Sequence, residues 1–528
     1  MKLDQNYIYA NIKNAGGTWS AKHQAFRFPK SIFTLNELEK KDQQTAKTDV
    51  FKQIKQTVTE QREKLTRLKA QPPTHKPEDK LRPYQRQDVQ YLAQIPSAAI
   101  LNQPRTGKTP TLIETIKAKG TKRNVIVTPA SLQNNWIREL KTWHPEATIY
   151  NGQKAITRAQ EHQTDVYYLV ISKDTLKRIV DDFPVIDTLT VDEAHYLRNR
   201  TTTQSKAIIS LGKRAKHRYA LTGTPTVKHP ADIFGILTFL YPDKFSSYWQ
   251  FVERYFQIHD NGFGKTLGTP IAHRADELKD LIDAISTQRL RKDVMQWLPD
   301  KQRHKHTITM DSKQNKLYKS MLDDFFTQDE DGKELDTQNV LTQLIRLRQI
   351  TLDPALVGLN APSAKTETIL DIIENNVYTD TNEPIIVMSM FTSYLNLLKP
   401  KIHTIGKRVG MITGQMTNKE KDDTAQAFQR GEIDVLLCNI ISAGTGFTLD
   451  KGEVIIFTDK AWNPSDNEQA EDRVTPTKEE NTHSHTIISL VCENTIDEHI
   501  ESTLDKKENL TSIINQCKSV DQLRRLFV

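Results

Sequence analysis

The segment LNQPRTGKTPT, residues 101–111, combines a glycine, a lysine and a hydroxyl in a pattern suited to binding phosphate. It lies between two apolar stretches, AAIL and TLIETI, which predicts a loop joining a strand to a helix. Such a loop presents backbone N–H groups and the positive end of the helix dipole to an anion. Gly107 allows close approach of the backbone, Lys108 can reach the outer phosphates of a nucleotide, and Thr109 can hold Mg²⁺. Asn102 stands where the usual pattern has its first glycine.

Two adjacent carboxylates follow another apolar stretch, in VDEAH at residues 191–195. Asp192, at the predicted carboxyl end of the strand, could hold Mg²⁺ directly or through water. Glu193 could then orient or deprotonate the attacking water. Taken alone, TGKT arises by chance and adjacent acids often begin a solvated loop. Together they predict hydrolysis of ATP, because that reaction needs both a phosphate loop and a metal-bearing carboxylate.

Two further segments fit the same reaction. In ALTGTP, a small turn at a predicted strand end, Thr222 and Thr224 could sense the γ-phosphate. In DNEQAEDR, Gln469 and Arg473 lie four positions apart on one predicted helical face. An arginine entering the site can stabilise charge on the transferring phosphoryl group. As isolated patterns they are equally an ordinary turn and a charged surface helix.

Short β-branched runs must supply the frame that positions these loops. They recur from residue 81 to about residue 500, separated by helix-length segments, as in NVIVTPA, VYYLVIS, EPIIVMSM and EVIIFTD. Buried runs alternating with helices predict parallel sheets covered by helices, and the runs are numerous enough for two sheets. The predicted fold class is α/β, with two parallel-sheet lobes, a small α+β N-terminal module and a helical C-terminal tail.

Composition limits the class of protein. The 528 residues are 37% hydrophobic, enough for two or three domains with cores, and no apolar run approaches the roughly 20 residues of a membrane span. The N-terminus is too polar for a secretory signal. Cys438, Cys492 and Cys517 lack the spacing of metal ligands or a disulfide framework, which predicts a reducing, cytoplasmic setting.

The positive charge is concentrated in the first 80 residues. They hold 16 Lys and Arg against 9 Asp and Glu, whereas the rest of the chain carries 57 of each, for a formal net charge of +7. Such a segment either attracts a polyanion or is a solvated, lysine-rich linker.

Shifts in composition divide the chain into five predicted parts. The aromatic-rich pattern AGGTWSAKHQAFRFP predicts short strands around a Gly-Gly turn, and a following helix carries a thin apolar stripe of Val50, Ile54, Val58 and Leu65. Three prolines in QPPTHKPEDK then mark a boundary. The predicted parts are an N-terminal module at 1–45, a basic helical linker at 46–80, a first lobe at 81–288, a second lobe at 289–504 and a helical tail at 505–528.

The order of these motifs resembles that of superfamily-two nucleic-acid motors, and the connecting residues resemble the Swi/Snf-type branch. LRPYQRQDVQYL is similar to its adenine-recognition segment, VTPASLQNNWIREL to its motif Ia and DEAHYLRN to its extended motif II. SAGTGFTL and DKAWNPSDNEQAEDR resemble motif V and the Trp-Asn-Pro segment with motif VI. ILTFLYPDKF, QRLRKDVMQWLPDK, IRLRQITLDPALV and TIDEHI resemble segments that join, enter and close the lobes. The resemblance covers roughly residues 81–505.

This resemblance implies RecA-like lobes of the P-loop NTPase type, with ATP and Mg²⁺ in the cleft between them. It implies a monomeric ATP-dependent translocase that grips DNA by its phosphates, without sequence specificity. The implied catalytic residues are Lys108, Glu193, Gln469 and Arg473. The implied nucleotide-binding residues are Gln85 (the adenine ligand), Arg105, Thr106, Gly107, Lys108, Thr109, Gly444 and Gly446. The implied metal ligands are Thr109 and Asp192. The implied coupling residues are His195, Thr222 and Thr224. The implied nucleic-acid contacts are Thr128, Lys173, Gly414, Thr445 and Trp462.

Two positions depart from the family pattern. Arg105 stands where the phosphate loop usually has glycine, and Pro476 stands where motif VI usually has a second arginine. Arg473 would then act alone, or Lys478 would substitute as a less directional charge. Loss of an arginine finger costs ~10³-fold or more in rate. One alternative is therefore a slow ATPase that acts as an ATP-gated DNA clamp, and another is a motor directed to RNA or RNA polymerase.

The N-terminal pattern Gly-Gly-x-Trp followed by Phe-x-Phe-Pro resembles the small module before the motor in HepA-related annealing helicases. It implies a preference for forked or branched DNA, and the alternative is a structural hairpin that caps the motor. The few insertions between motifs are typical of bacterial and phage members, with roles in DNA replication, recombination or repair.

Overall fold

The structure is a computed structural model that divides the chain into two units, Met1–Val294 and Met295–Val528. The residues that it describes are 2–3, 7–10, 18–20, 24–29, 32–41, 47–72, 80–152, 157, 166–183, 185–226, 229–260, 265–327, 337–375, 377–378, 384–443, 448–476 and 484–506. The predicted Gly-Gly turn and almost all of the predicted C-terminal tail lie outside these residues.

Unit 1 begins with a small antiparallel sheet and two helices. The strand order is β1-β2-β4-β3. The strands are β1 (Lys2–Leu3), β2 (Tyr7–Ala10), β3 (Thr18–Ser20) and β4 (Ala25–Pro29), and the helices are α1 (Ile32–Lys41) and α2 (Asp49–Ala70).

The long helix α2 packs against the rest of unit 1. Its start is capped by Thr48, whose hydroxyl accepts a hydrogen bond from the N–H of Phe51. The predicted apolar stripe is wrong at Val50, which is exposed, because the helix turns Phe51 inward instead. Arg62 forms an ion pair of 2.7 Å with Asp280, so part of the N-terminal positive charge fixes this helix in place.

The main sheet of unit 1 has seven parallel strands in the order β13-β5-β10-β9-β6-β8-β7. These strands and the separate β11–β12 hairpin are β5 (Ala98–Ile100), β6 (Arg123–Val127), β7 (Thr148–Asn151), β8 (Tyr167–Ile171), β9 (Ile186–Asp192), β10 (Ala215–Leu221), β11 (Phe256–Asp260), β12 (Lys265–Pro270) and β13 (Ser286–Thr287). The α-helices are α3 (Pro83–Leu92), α4 (Lys108–Ala118), α5 (Gln133–Trp143), α6 (Lys173–Ile179), α7 (Thr203–Arg214), α8 (Ile233–Leu240), α9 (Tyr248–Tyr255), α10 (Ala272–Asp283) and α11 (Arg291–Val294). Helical turns of the 3₁₀ type are Ala130–Leu132, Val180–Asp182, Ala194–Arg198 and Pro230–Asp232.

Unit 2 holds a second parallel sheet, of six strands in the order β14-β19-β18-β15-β17-β16. The strands are β14 (Gln302–Ile308), β15 (Ile385–Ser389), β16 (Val409–Ile412), β17 (Val435–Asn439), β18 (Val454–Phe457) and β19 (Thr486–Cys492). The helices are α12 (Ser312–Thr327), α13 (Thr337–Leu352), α14 (Ala364–Asn375), α15 (Thr392–Thr404), α16 (Asn418–Gln429), α17 (Ile440–Ala443), α18 (Pro464–Asp472) and α19 (Ile496–Asp505), with a 3₁₀ turn at Pro354–Val357.

The predicted fold class of two parallel-sheet lobes is confirmed. Each sheet has apolar clusters on both faces, which is why its central strands are continuous apolar runs and not alternating ones. Within the described residues, no helix combines the length and apolar character that crossing a membrane requires.

The strand order of unit 1 groups the loops that the sequence singled out. The register pairs Ile100 with Leu221, Leu221 with Asp192, and Val191 with Val127. Since the strands are parallel, the segments that follow β5, β10, β9 and β6 all emerge at one edge of the sheet. That carboxyl edge is where open α/β sheets usually bind ligands.

Candidate functional site

The loop between β5 and α4 curls around the first turn of the helix. Gly107 is the N-cap of α4 and has φ 74°, and a Cβ there would collide with the amide of Gln85. Arg105 has φ 69°. A side chain in this left-handed conformation costs roughly 1–2 kcal/mol, so the position is one that suits glycine. The departure noted in the sequence therefore carries local backbone strain.

Two side chains of α3 hold this loop. Gln85 is buried, and its Nε2 donates to the carbonyls of Thr106 at 3.3 Å and Gly107 at 3.4 Å. Its Oε1 accepts from the N–H of Arg82 at 2.8 Å. The Tyr84 hydroxyl donates to the Thr106 carbonyl at 2.9 Å. Gln85 therefore holds the phosphate loop in place through hydrogen bonds. A contact between Gln85 and adenine, which the sequence predicts, would be a second role.

The amino group of Lys108 points back towards the first residues of the phosphate loop. Its Nζ donates to the carbonyls of Asn102 at 3.1 Å and Gln103 at 3.3 Å. Both acceptors are neutral carbonyl oxygens. An ammonium that retains its charge inside a phosphate loop can attract the phosphates of a nucleotide.

Asn102, which replaces the usual first glycine, anchors the loop to α3. Its side chain is fully buried, and its Nδ2 donates to Asp88 Oδ2 at 3.0 Å. Asp88 in turn forms an ion pair of 2.6 Å with Arg289. Burial raises the pKa of Asp88, and hydrogen bonds from Arg289 and Asn102 oppose that rise. The sequence marked Asn102 only as a departure from the glycine pattern, and it did not identify Asp88 or Arg289 as part of the site.

Asp192 ends β9, and three neutral donors hold its carboxylate. Oδ2 accepts from Thr128 Oγ1 at 3.0 Å and from Trp136 Nε1 at 2.8 Å, and Oδ1 accepts from the N–H of Glu193 at 2.9 Å. Burial, together with the negative charge of Glu193, raises the pKa of Asp192. The ionised form is therefore costly in the isolated chain, and a bound cation would relieve that cost.

The donor set of this edge fits Mg²⁺. Mg²⁺ prefers oxygen ligands and usually combines one or two protein oxygens with water and nucleotide phosphates. Asp192, the last residue of β9, supplies a carboxylate, and Thr109, in the first turn of α4, supplies a hydroxyl. Within the described residues, no group of three or more His, Cys, Asp or Glu is arranged to hold a metal ion.

Glu193, His195 and Thr222 form a chain of contacts beside Asp192. Glu193 has φ 49°, and its Oε2 lies 3.3 Å from His195 Nδ1. The same ring nitrogen lies 3.3 Å from Thr222 Oγ1, which also accepts from the N–H of Thr224 at 3.1 Å. These contacts join the loop after β9, which carries Glu193, to the turn after β10.

The turn after β10 also contacts the phosphate loop. A Cβ on Gly223 would come within 2.9 Å of Pro104 Cδ, so only glycine allows this approach without a shift. The backbone N–H of Thr222 donates to the carbonyl of Ile100 at 3.2 Å. The three segments that the sequence predicted to act on one nucleotide are therefore in contact with one another within unit 1.

The two residues of unit 1 that the sequence predicts to contact nucleic acid, Thr128 and Lys173, differ in exposure to solvent. Thr128 is fully buried with its hydroxyl on Asp192, so its side chain faces the carboxylate and not a nucleic acid. This differs from the expectation, because the register of β6 beside β9 points that hydroxyl inward. Lys173, at the start of α6, lies with Nζ 4.7 Å from the ring centroid of Tyr196 and is partly exposed.

In unit 2, the described part of motif VI forms α18. Gln469 lies within this helix and is partly exposed, and Arg473 follows its last residue. Asp472 and the neighbouring Glu471 pair with Lys301 at 3.2 and 3.4 Å. The position that lacks the second arginine, Pro476, is buried. Lys478 lies outside the described residues.

Two of the other predicted site residues of unit 2, Gly414 and Trp462, lie within the described residues. Gly414 follows β16, and a Cβ there would meet Ser442 Oγ at 3.5 Å, an ordinary contact. Trp462 is partly exposed, and the guanidinium of Arg348 lies 5.7 Å from its ring centroid. The expected motif V residues Gly444, Thr445 and Gly446 lie outside the described residues.

Family models match most of the chain. One described as the SNF2-related domain matches residues 30–356, and one described as the helicase conserved C-terminal domain matches residues 364–475. A structure described as the Sulfolobus solfataricus SWI2/SNF2 ATPase core in complex with dsDNA has a TM-score of 0.39 and 24% identity, covering 85% of this chain and 97% of that one.

Two curated proteins are similar to this chain over most of its length. The putative ATP-dependent helicase/translocase YwqA of Bacillus subtilis (strain 168) is 26% identical over 481 residues, which are 85% of this chain and 50% of that protein. The DNA annealing helicase and endonuclease ZRANB3 of Bos taurus is 25% identical over 405 residues, which are 73% of this chain and 36% of that protein. The chain thus spans half or less of the length of these relatives. Since the SNF2-related model alone matches more than half of the chain, the chain belongs to the SNF2-related family.

Proposed function

We propose that this chain is an ATP-dependent translocase that couples ATP hydrolysis to movement on DNA. The observation that carries the proposal is the contact network at the carboxyl edge of the unit 1 sheet. There the Asp192–Glu193 pair contacts the Thr222 turn through His195, and Gly223 of that turn packs closely against Pro104 of the phosphate loop. Two parallel-sheet lobes and membership of the SNF2-related family support the same conclusion.

Each residue of the site has a proposed part in hydrolysis. The backbone around Arg105, Thr106 and Gly107 and the ammonium of Lys108 bind the phosphates. Glu193 orients or deprotonates the attacking water. Mg²⁺, held by Asp192 and Thr109, would neutralise charge on the β- and γ-phosphates. For unit 2, we propose that Gln469 and Arg473 act on the transferring phosphoryl group, and that Gly444 and Gly446 contact the nucleotide.

The change at the phosphate is proposed to reach DNA through His195, Thr222 and Thr224. Their contacts join the loops after β9 and β10. Loss of the γ-phosphate beside one loop would therefore change the position of the other loop. Lys173, Gly414, Thr445 and Trp462 are the proposed DNA contacts. A grip on phosphates lets a motor move without reading sequence.

The finer proposal concerns the kind of DNA. We propose duplex DNA as the track and forked or branched DNA as the preferred substrate, with a monomeric motor acting in replication, recombination or repair. The support is the excess of Lys and Arg in residues 1–80 and the description of one relative as a DNA annealing helicase.

The test measures ATP hydrolysis with linear duplex, fork, single-stranded DNA and RNA at one salt concentration, because salt alone changes affinity steeply. We expect duplex and fork to stimulate hydrolysis, and the Lys108→Ala variant to show none. Undiminished turnover in that variant would reject the assignment of the site. ATP binding without hydrolysis at saturating DNA would instead identify the clamp, and stimulation by RNA alone would identify an RNA motor. Equal stimulation by duplex and fork, before and after deletion of residues 1–72, would reject the fork preference.

A further inference from the structure

We infer that Thr128 and Trp136 are positioning residues of the metal site, which fix one oxygen of Asp192 so that the carboxylate presents the other to Mg²⁺. The inference rests on the proposed function, since it assumes that Asp192 is the metal-bearing carboxylate. It assigns to Trp136 a part that the sequence motifs did not suggest, and it gives Thr128 a part different from the expected contact with nucleic acid.

The geometry separates the two oxygens of the carboxylate. Oδ2 accepts two side-chain hydrogen bonds, from Thr128 at 3.0 Å and Trp136 at 2.8 Å. Within the described residues, Oδ1 accepts a single hydrogen bond, from the N–H of Glu193 at 2.9 Å. A carboxylate oxygen has about two lone-pair sites, so Oδ2 is filled and Oδ1 keeps one. That remaining site can take a metal ion or a metal-bound water.

Both donors are held rigidly by the fold. Thr128 is fully buried directly after β6, the strand that pairs with β9. Trp136 is 1% exposed, and its ring packs in the apolar cluster between the sheet and helices α4 and α5. An indole N–H points in one direction that is fixed once the ring is packed. The two donors therefore restrict rotation of the Asp192 carboxylate about its χ angles.

The donors are also neutral, and this property suits a metal ligand. An arginine or lysine in their place would cancel the charge that must attract Mg²⁺, whereas a hydroxyl and an indole orient the carboxylate and leave its charge in place. Partners that orient a metal ligand commonly change metal affinity or activity by about 10–100-fold when removed.

A purely structural explanation exists for the same contact. A buried indole needs an acceptor, and Asp192 could serve merely to satisfy it. The two explanations differ in what loss of the indole N–H should do. A structural role predicts lower stability and equal loss of nucleotide binding with and without Mg²⁺. A positioning role predicts loss confined to the part of the binding that depends on Mg²⁺.

Helix α5 offers a matched control. Trp143 lies on the same helix, and its Nε1 also donates to a carboxylate, Glu139 Oε2, at 3.1 Å. The change Trp143→Phe removes the same donor from the same element, away from Asp192. The other donor to Asp192 is tested by Thr128→Val, which removes the hydroxyl and keeps the shape of the side chain. The matched variant Thr128→Ser keeps the hydroxyl.

The experiment measures ADP and ATPγS affinity of the full chain by calorimetry, across Mg²⁺ concentrations and in EDTA, beside melting temperatures. In Trp136→Phe and Thr128→Val we expect the gain in affinity from Mg²⁺ to fall by about 10-fold or more, with affinity in EDTA unchanged. Trp143→Phe and Thr128→Ser should behave as the wild type. If Trp136→Phe does not fold, Thr128→Val and Thr128→Ser decide.

Two results would overturn the inference. One is an undiminished Mg²⁺-dependent gain in both variants at Asp192. The other is an equal loss in EDTA, which indicates a structural role. Failure of the proposed function looks different, because it leaves wild-type ATP hydrolysis absent at saturating DNA whatever these affinities show.

Discussion

Two aspartates that follow parallel strands in the two units have opposite electrostatic surroundings. Asp192 in unit 1 is held by a hydroxyl, an indole and a backbone N–H, all of them neutral. Asp459 in unit 2 follows β18 and pairs with the guanidinium of Arg348 at 2.8 Å, with further hydrogen bonds from Ser389 at 2.6 Å and Thr458 at 2.9 Å. The donors around Asp192 do not compensate its negative charge, whereas a buried guanidinium neutralises that of Asp459.

A second buried pair in unit 2 follows the same rule as Asp459. Lys365 is fully buried and forms an ion pair of 2.6 Å with Asp497. Burial opposes the charge on Lys365, but Asp497 outweighs burial, so the pKa of Lys365 is raised. In the described part of the chain, no cation contacts the Asp192 carboxylate, and burial raises the pKa of Asp192. Asp459 and Asp497 are thus compensated by buried cations of unit 2, whereas the neutral surroundings of Asp192 suit the metal ligand that we propose it to be.

The largest expected effect is that of Asp192→Asn on ATP hydrolysis. Loss of the carboxylate removes the proposed metal ligand, and metal stabilisation of the transferring group is worth several kcal/mol. We expect the rate to fall at least about 10³-fold, which corresponds to roughly 4 kcal/mol. The melting temperature should stay within a few degrees of the wild type, because the variant also removes a charge that burial disfavours. Measured DNA-stimulated ATPase rates and thermal melts check both parts.

A collapse in stability with Asp192→Asn would break the comparison. It would mean that this carboxylate, like Asp459, is a part of the framework. A rate close to that of the wild type would equally contradict it, because Asp192 would then not carry the metal.

The next effect is that of Asp459→Asn on stability. It leaves the buried Arg348 guanidinium without its ion-pair partner, and removing one partner of a buried pair costs about 3–5 kcal/mol. We expect hydrogen exchange in the strands of unit 2 to accelerate, while that in unit 1 is unchanged. The control is the double variant Arg348→Met with Asp459→Asn, which should recover part of the loss because no charge is left unpaired. Unchanged exchange in the single variant would show that Asp459 is not a framework residue.

The sequence predicted the sheets and the site unequally. Apolar runs such as VYYLVIS and EVIIFTD identified interior strands, because a strand buried on both faces must be apolar throughout. Strand β14, with the sequence QRHKHTI, carried no such signal, because it lies at the edge of its sheet with most side chains in solvent. The edge strand β7 (Thr148–Asn151) was missed too, because it is only four residues long and just one of them, Tyr150, is buried.

At the site, residues close together in a motif were predictable, and distant partners were not. Lys108 and Asp192 belong to short patterns whose chemistry is local. Trp136 reaches Asp192 across 56 positions, and Arg289 reaches Asp88 across 201, and only the fold sets these separations. Motif Ia marked the segment around Thr128 but did not indicate which way its hydroxyl points, since that depends on the register of β6 against β9.

The smallest expected effect concerns Asp187, at the opposite end of the strand that carries Asp192. Burial disfavours its charge, but hydrogen bonds from Arg123, Lys216 and the backbone N–H groups at Lys122 and Arg123 outweigh burial and hold the pKa of Asp187 well below its usual range. A lowered pKa stabilises the fold above the unfolded value near 3.9, and this stabilisation is lost as the pH falls through the folded value. Strand β9 thus carries two aspartates of opposite kind: cations compensate the negative charge of Asp187 at its start, and none contacts Asp192 at its end within the described residues.

We therefore expect Asp187→Asn to cost about 1–2 kcal/mol at pH 7, a modest figure because Lys216 and part of Arg123 are exposed to solvent. Hydrogen exchange in β9 measures the loss in unit 1 alone. The difference from the wild type should shrink as the pH is lowered below about 4, because Asp187 is then protonated in the unfolded chain while it stays ionised in the fold. Lys216→Met, which removes one cation, should give a smaller loss with the same dependence on pH. A loss from Asp187→Asn that stayed constant down to the acid limit would show that shape, and not compensated charge, stabilises this end of the strand.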